Sequence, residues 1–156
     1  FEAMRDRGVT RVSLGVQDID EEVQRLINRH QPLAITTALV DGARTMGFES
    51  VNLDLVYGLP GQTPESAQRL ADAIVKVSPD RLAVYSFARV PWIKPAQRKF
   101  TDEQIPAGAD KRRLYEVIRG PLLDAGYVEL GLDHFARPGD PLAVAAREGR
   151  MHRNFM

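Results

Sequence analysis

Hydrophobic and polar residues along the chain are arranged as strands that alternate with helices. Residues 11–17 (RVSLGVQ) alternate apolar and polar side chains with the period of two that is typical of a β-strand. Two further apolar segments, residues 51–57 and 81–88, are also predicted to be strands. Segments with helical spacing of apolar residues connect them. This order indicates parallel βαβ units, and hence an α/β fold that closes toward a barrel or opens into a sheet.

Capping residues predict where the helices begin and end. Asp20 is expected to cap a short first helix. A second helix is predicted to begin at Pro32 and to end before Gly47, because glycine favours the left-handed conformation of a C-terminal cap. Thr63 is placed to cap a third helix over residues 64–77, whose first position is a proline.

Two regions are expected along the chain. Residues 1–110 are predicted to form a partial (β/α) barrel, and the Pro- and charge-rich stretch 91–110 is its long loop. Residues 111–156 are predicted to contain, in order, a helix over 111–125 that Gly120-Pro121 should kink or split, a further strand over 127–133, and a basic tail of loop and helix beyond His134.

Asp54, the single acid of the second strand, is the first candidate for a ligand-binding residue. A carboxylate inside an apolar strand is costly unless something pairs with it. If Leu53 and Leu55 face the helices, alternation places Asp54 on the other face, with Gln17 of the first strand. Sites in such folds lie at the carboxyl ends of the strands, where these two residues converge. Two alternatives stay open: an ordinary strand-to-helix turn at Gln17, and an ion pair between Asp54 and Arg29.

The third strand and the long loop add further candidates. The pattern leaves the orientation of the third strand open, and Ser86 and Ala88 are assigned to the same face as Asp54. In the loop, Trp92 and Phe100 are the residues best suited to lie against a flat ligand. Anchoring of the loop itself is the alternative role for both aromatic side chains.

The composition limits the classes of function. The chain has 156 residues and equal numbers of basic and acidic residues, 21 of each, which gives no support to a nucleic-acid or anionic-membrane surface. Without an apolar run of membrane-spanning length or a signal peptide, we expect a cytoplasmic protein. The sequence has no cysteine and no histidine pair at metal-ligand spacing, so we expect no metal site in this chain. Because its first residue is not methionine, we expect an interior piece of a longer polypeptide.

Several runs of the sequence resemble the oxygen-independent coproporphyrinogen III oxidases, which are radical S-adenosylmethionine enzymes of haem synthesis. They occur in the order of that family: SLGVQD, VQRLINRHQ, NLDLVYGLPGQTPES, PDRLAVYSFARVP, AQRK, GLDHFARPGDPLAVAAREG and HRNF. The GVQ and DLxYGLPGQT pieces are shared with relatives that include haem chaperones, whereas AQRK, DHFARP and HRNF favour the oxidase. The resemblance implies that the chain supplies the later strands of an incomplete (β/α)6 barrel.

The resemblance also implies cofactors and partners. In that family a [4Fe–4S] cluster held by a CxxxCxxC motif binds and reduces S-adenosylmethionine. The resulting 5′-deoxyadenosyl radical starts the oxidative decarboxylation of coproporphyrinogen III to protoporphyrinogen IX. The implied partners are this porphyrinogen and an external electron donor. The family's oxidases can hold two S-adenosylmethionine molecules. The residues that resemble the contacts to the second are Gln17, Arg29, Asp54 and Ala88, the last through its backbone. No catalytic residue is assigned.

The sequence departs from the family in one respect that bears on activity. The CxxxCxxC motif is missing from this chain, so we expect the chain alone to hold no cluster and to be inactive. Two other interpretations stand beside the oxidase. One is a haem-chaperone relative of the same superfamily, and the other is a non-catalytic remnant that oligomerises through exposed strand edges.

Overall fold

Five strands form a single mixed sheet in the computed structural model, which describes residues 1–152. They lie in the order β1-β2-β3-β5-β4, with the bounds Arg11–Gln17 (β1), Ser50–Tyr57 (β2), Arg81–Ser86 (β3), Val128–Gly131 (β4) and His134–Ala136 (β5). Strands β1, β2 and β3 are parallel, which confirms the predicted α/β class with a parallel sheet. Residues 153–156, and with them most of the HRNF run, lie outside the described part.

The helices follow the predicted capping residues. Their bounds are Glu2–Arg5 (α1), Glu21–Leu26 (α2), Leu33–Thr45 (α3), Pro64–Val77 (α4), Gly108–Asp124 (α5) and Pro141–Arg147 (α6), with 3₁₀ segments at Pro95–Lys99 and Asp102–Gln104. Asp20 caps α2 by accepting hydrogen bonds from two backbone N–H groups. Thr63 and Ser66 form a reciprocal capping box at the start of α4. Gly47 follows α3 with the expected positive φ of 77°.

Two predictions about the C-terminal third differ from the structure. The helix α5 is not split at Gly120-Pro121, because Ile118 and Leu122 on either side are fully buried in the core and hold it in place. The predicted strand over 127–133 is the first strand of a hairpin, and its second strand, β5, was missed. The hairpin is antiparallel, and β5 pairs in the same antiparallel sense with β3.

The core lies between one face of the sheet and the helices α3, α4 and α5. Leu53 and Leu55 of β2 and Leu82 of β3 are completely buried there, against residues such as Leu70 and Ile118. Each such side chain contributes about 1.5–3 kcal/mol to folding through removal of apolar surface from water. We call the opposite face of β1–β3 the inner face. It carries the alternate side chains of the same strands, including Ser13, Asn52 and Asp54.

At the hairpin, the side of the sheet that faces away from the core is also covered by a helix. Ala143 of α6 packs against Leu130 and Ala136, and Ala136 points away from the core residue Phe135 that precedes it. An ion pair between Arg81 and the α6 cap Asp140, at 2.7 Å, joins this helix to β3. The helix α6 thus covers the apolar residues of the hairpin, and it falls in the region that was predicted as a basic tail of loop and helix.

The assignment of Ser86 to the inner face is also wrong. Leu82 and Val84 are core residues, so alternation places Ser86 with them on the helix-covered side. Ala83 and Tyr85 are the β3 residues on the inner face, where Ala83 lies beside Asp54 in the parallel register. Ala88 lies beyond the end of the strand.

Candidate functional site

A hydrogen-bonded polar cluster occupies the inner face of β1 and β2. The Ser13 hydroxyl donates to Asp54 Oδ2 at 3.1 Å, and the Asn52 amide donates to Asp54 Oδ1 at 2.7 Å and to Ser13 Oγ at 2.8 Å. Asp54 is therefore paired with neutral polar groups in the sheet. Among residues 1–152, no cationic side chain forms an ion pair with its carboxylate.

An irregularity at the end of β1 changes the direction of Gln17. The register of β1 against β2 shifts between Gly15 and Gln17, and Gln17 has a positive φ of 68°. A bulge of this kind turns a side chain out of the regular alternation. The Gln17 amide comes to lie over Gly15, where an added Cβ would be 2.9 Å from its nitrogen. The sequence pattern shows the strand but not this shift.

Arg29 reaches the same place from the segment after α2. Its Nη2 donates to the Gly15 carbonyl oxygen at 2.5 Å, and the side chain is exposed. Gly15 is in turn the register partner of Asp54. Gln17, Arg29 and Asp54 therefore surround Gly15, but no ion pair joins Arg29 to Asp54 within the described part of the chain. The alternative of a structural Asp54–Arg29 pair is not what the structure shows.

Ala88 lies at the carboxyl end of the neighbouring strand. It is exposed, and its carbonyl oxygen accepts a hydrogen bond of 3.2 Å from the Gln97 side chain, which also accepts from the backbone N–H of Val90. The backbone before it is held by a bond from Phe87 N–H to the Tyr57 carbonyl. Ala88 is thus at the same end of the sheet as Gln17.

Lys111 of α5 contacts residues at the carboxyl ends of β2 and β3, an edge of the sheet that we call the rim. Its ammonium donates to the Phe87 carbonyl at 2.5 Å and lies 6.0 Å from the centre of the Tyr57 ring. Partial burial lowers the pKa of Lys111. The alkyl part of the side chain passes over Gly58, where a Cβ would lie only 2.6 Å from Lys111 Cε. The glycine of the YGLPG turn is therefore required for a close approach, in addition to its φ of +78°.

The comparisons with known proteins bear on this arrangement. Residues 1–74 match the family model described as the radical SAM superfamily. An oxygen-independent coproporphyrinogen III oxidase of Salmonella typhimurium is 47% identical over 97% of this chain, and one of Synechocystis is 42% identical over 98% of it. The solved structure of coproporphyrinogen III oxidase (HemN) from Escherichia coli, a radical SAM enzyme, superposes with a TM-score of 0.94 at 46% identity over 98% of the chain.

The chain is therefore similar over nearly its whole length to the oxygen-independent coproporphyrinogen III oxidases, so the resemblance found in the sequence is confirmed. It spans about a third of the length of these relatives, 33% of the Salmonella and Synechocystis proteins and 35% of the Escherichia coli chain. None of these comparisons tests the site residues Gln17, Arg29, Asp54 and Ala88, which stay predictions.

Asp18 and Gln62 support this end of the sheet, and sequence reasoning missed both. Asp18 is completely buried, and burial raises the pKa of its carboxyl group although three N–H groups, including the Gln62 amide at 2.7 Å, act to lower it. Gln62 also accepts from Gly58 N–H. The two side chains join the loops after β1 and β2, across 44 positions of sequence. Their only signal was their position, directly after the GVQ and LPG motifs.

A second buried amide supports Arg29. The Gln24 side chain donates to the Asp18 and Gln31 carbonyls and accepts from Gln31 N–H, all within 3.0 Å. The Gln31 side chain then donates to Thr36 at the start of α3. Because α2 is short, these bonds position the segment that carries Arg29.

Tyr85 and His134 extend the inner face toward the hairpin. Their rings meet edge to face with centroids 5.9 Å apart, and Tyr85 is 42% exposed. Partial burial raises the pKa of the Tyr85 phenol, and the negative charges of Asp54 and Asp133 raise it further. Asp54 therefore acts on both neighbouring strands: it accepts a hydrogen bond from Ser13 of β1 and raises the pKa of Tyr85 of β3.

The described residues contain neither a cluster of metal ligands nor a membrane-spanning helix. No group of three or more His, Asp or Glu side chains in residues 1–152 is arranged to hold a metal ion. No helix in the same range is both long and apolar enough to cross a membrane.

Proposed function

We propose that this chain is part of the catalytic barrel of an oxygen-independent coproporphyrinogen III oxidase and binds S-adenosylmethionine on its inner face. The reaction would be the oxidative decarboxylation of propionate side chains of coproporphyrinogen III, with an external electron donor. The observation that carries the proposal is the grouping of Gln17, Arg29 and Asp54 around Gly15, at the carboxyl ends of parallel strands.

The residues present fit S-adenosylmethionine, which is one of the two cofactors that the proposed function requires. Gly15 has no side chain, which allows the Gln17 amide and the Arg29 guanidinium to lie over its backbone, beside its register partner Asp54. An added Cβ would lie 2.9 Å from Gln17 Nε2 and 3.1 Å from Arg29 Nη2, so a side chain at this position would displace them. S-adenosylmethionine carries a carboxylate, an ammonium and ribose hydroxyl groups. We assign its carboxylate to Arg29 and its ammonium or hydroxyl groups to Asp54, and a backbone contact to Ala88. The molecule held here would be the second S-adenosylmethionine of the family, and the one bound at the cluster would supply the radical chemistry.

The residues present do not fit the iron–sulfur cluster. The sequence has no cysteine, and a [4Fe–4S] cluster is held by thiolates. We therefore assign the ligands of the cluster to a part of the enzyme outside this chain. The 156-residue chain, reconstituted anaerobically with iron and sulfide, should show no cluster absorbance and form no 5′-deoxyadenosine. A stoichiometric cluster would contradict this assignment.

The test of the proposal is the binding of S-adenosylmethionine to Asp54→Asn by isothermal titration calorimetry. Removal of one charge-assisted hydrogen bond should weaken binding about tenfold to a hundredfold. The control is Asp72→Asn, which removes an equivalent charge from the exposed face of α4. Equal binding to wild type and Asp54→Asn would overturn the site, and absence of binding to wild type would contradict the proposed role of this chain.

The remaining expectations stay predictions. They are a cytoplasmic location, and the absence of nucleic-acid and membrane partners.

A further inference from the structure

The loop after β3 presents an exposed aromatic residue that packs against nothing in the core. Trp92 is 72% exposed and Ile93 is 65% exposed, whereas Phe100 is only 5% exposed. The two aromatic residues of the loop therefore have different roles. Phe100 anchors the loop, and its carbonyl oxygen accepts two hydrogen bonds from Arg89. Trp92 and Ile93 form an apolar tip that is available to a ligand.

Three cations follow this tip within seven residues of sequence. Lys94, Arg98 and Lys99 are all exposed, and no acidic residue occurs between positions 81 and 101. In residues 1–152 none of the three forms an ion pair, since the nearby Asp102 pairs with Arg89 instead. The segment 92–99 thus combines an exposed indole with an uncompensated positive charge of three. This local excess is hidden by the zero net charge of the whole chain.

The segment is fixed beside the candidate cofactor site. Gln97 binds both the carbonyl of Ala88 and the N–H of Val90, which joins the first 3₁₀ turn to the end of β3. Lys111 holds the adjoining Phe87 carbonyl. These bonds place the apolar and basic tip at the carboxyl end of the sheet, next to the residue assigned a backbone contact to S-adenosylmethionine.

We propose that residues 92–99 bind the porphyrinogen itself, with Trp92 and Ile93 against the macrocycle and Lys94, Arg98 and Lys99 against its propionate carboxylates. The inference rests on the proposed function, which provides a tetrapyrrole with several carboxylates as the substrate. The fit is one of chemistry: an apolar ring system with anionic groups at its edge meets an apolar tip with cations at its edge. Attachment of the segment to Ala88 favours this ligand over an anionic membrane surface.

The experiment uses Trp92 as its own reporter, because it is the single tryptophan of the chain. Coproporphyrin III, a stable oxidised form of the macrocycle, is titrated into the 156-residue chain while tryptophan emission and the Soret band are followed. We expect quenching of the emission in parallel with the Soret change, and weaker binding as salt rises. Mesoporphyrin, which has fewer carboxylates, should bind more weakly, and a cationic porphyrin should not bind.

Matched variants separate this surface from general charge effects. Lys94→Ala/Arg98→Ala/Lys99→Ala should bind coproporphyrin about tenfold more weakly, the combined effect of three exposed charge contacts. The control Arg7→Ala/Lys76→Ala/Arg147→Ala removes the same charge from distant exposed positions and should bind like wild type. Trp92→Ala, followed by the Soret band alone, should also bind more weakly and is too exposed to affect folding.

Three results would overturn the inference. They are unchanged affinity in both loop variants, an equal loss in the distant control, and porphyrin binding without tryptophan quenching. Binding of the loop to anionic lipid vesicles but not to coproporphyrin would overturn it in favour of a membrane surface. S-adenosylmethionine binding is measured on the same samples: if it is retained without porphyrin binding, the inference fails while the proposed function stands.

Discussion

The two faces of the sheet are made from alternate residues of the same strands, yet they have different properties. In β2, Leu53 and Leu55 are completely buried against the helices. Asn52 and Asp54, one position away, form hydrogen bonds with a neighbouring polar group on the half-exposed inner face. The comparison teaches that stability and ligand binding are assigned to opposite sides of one element. Substitutions on the helix-covered face should therefore lower the free energy of unfolding. Substitutions on the inner face should instead weaken ligand binding.

The largest expected effect is on the helix-covered face. Leu55→Ala should lower the free energy of unfolding by about 2–5 kcal/mol, because it removes buried methyl groups and leaves a cavity. Urea denaturation followed by circular dichroism measures this loss. Val56→Ala, at the next position and on the half-exposed inner face, is the matched control and should cost clearly less. Equal losses in both variants would contradict the distinction between the faces.

A smaller effect is expected at Asp18, which directly follows β1 at the carboxyl end of the sheet. Asp18→Asn should destabilise the chain by about 1–3 kcal/mol, since the new amide places a donor against the N–H of Gln62. Burial raises the pKa of Asp18 above its ordinary value of 3.8, so the folded chain holds this proton longer than the unfolded one. The stability that Asp18 contributes is then lost as pH rises from 3.8 through the folded pKa.

Denaturation at several pH values tests this sign. The difference in the free energy of unfolding between wild type and Asp18→Asn should become smaller as pH rises. A difference that becomes larger would contradict the raised pKa of Asp18. Asp6→Asn, at an exposed position, serves as the control and should show no comparable change.

Gly58 tests the contact that closes the rim. Gly58→Ala and Gly8→Ala both put a side chain at a positive φ, +78° and +81°, but only Gly58 has Lys111 within 4 Å of the added Cβ. Gly58→Ala should therefore cost about 1 kcal/mol more, through loss of the hydrogen bond from Lys111 to Phe87. Lys111→Ala in the same background should remove this excess, and an excess that persists would place the strain elsewhere.

The smallest effect is expected for the polar cluster of the inner face. Ser13→Ala should change the free energy of unfolding by less than about 0.5 kcal/mol, as for most exposed positions. The same variant should weaken S-adenosylmethionine binding slightly, because Ser13 orients the Asp54 carboxylate. A large loss of stability, measured in the same urea titrations, would show that this cluster holds the fold together.

Many of the strands, helices and core residues could be predicted, because each depends on the pattern of residues a few positions apart. The strand at 11–17 follows from alternation, and the helix at 64–77 follows from the cap at Thr63 and the break at Ser78. Leu53 and Leu55 could be assigned to the core for the same reason. The candidate residues Gln17 and Asp54 also followed from strand alternation, although their partners did not.

The sequence by itself thus determined the parallel strands, their helices and the apolar face, since each is a property of residues a few positions apart. Only the tertiary structure decided the hairpin pairing of β5, the bulge that turns Gln17, and the orientation of Ser86. It also decided the contact between Asp18 and Gln62, which lie far apart in sequence. The physical reason is that burial, register and hydrogen-bond partners depend on what the rest of the chain places nearby, and no local pattern contains that information.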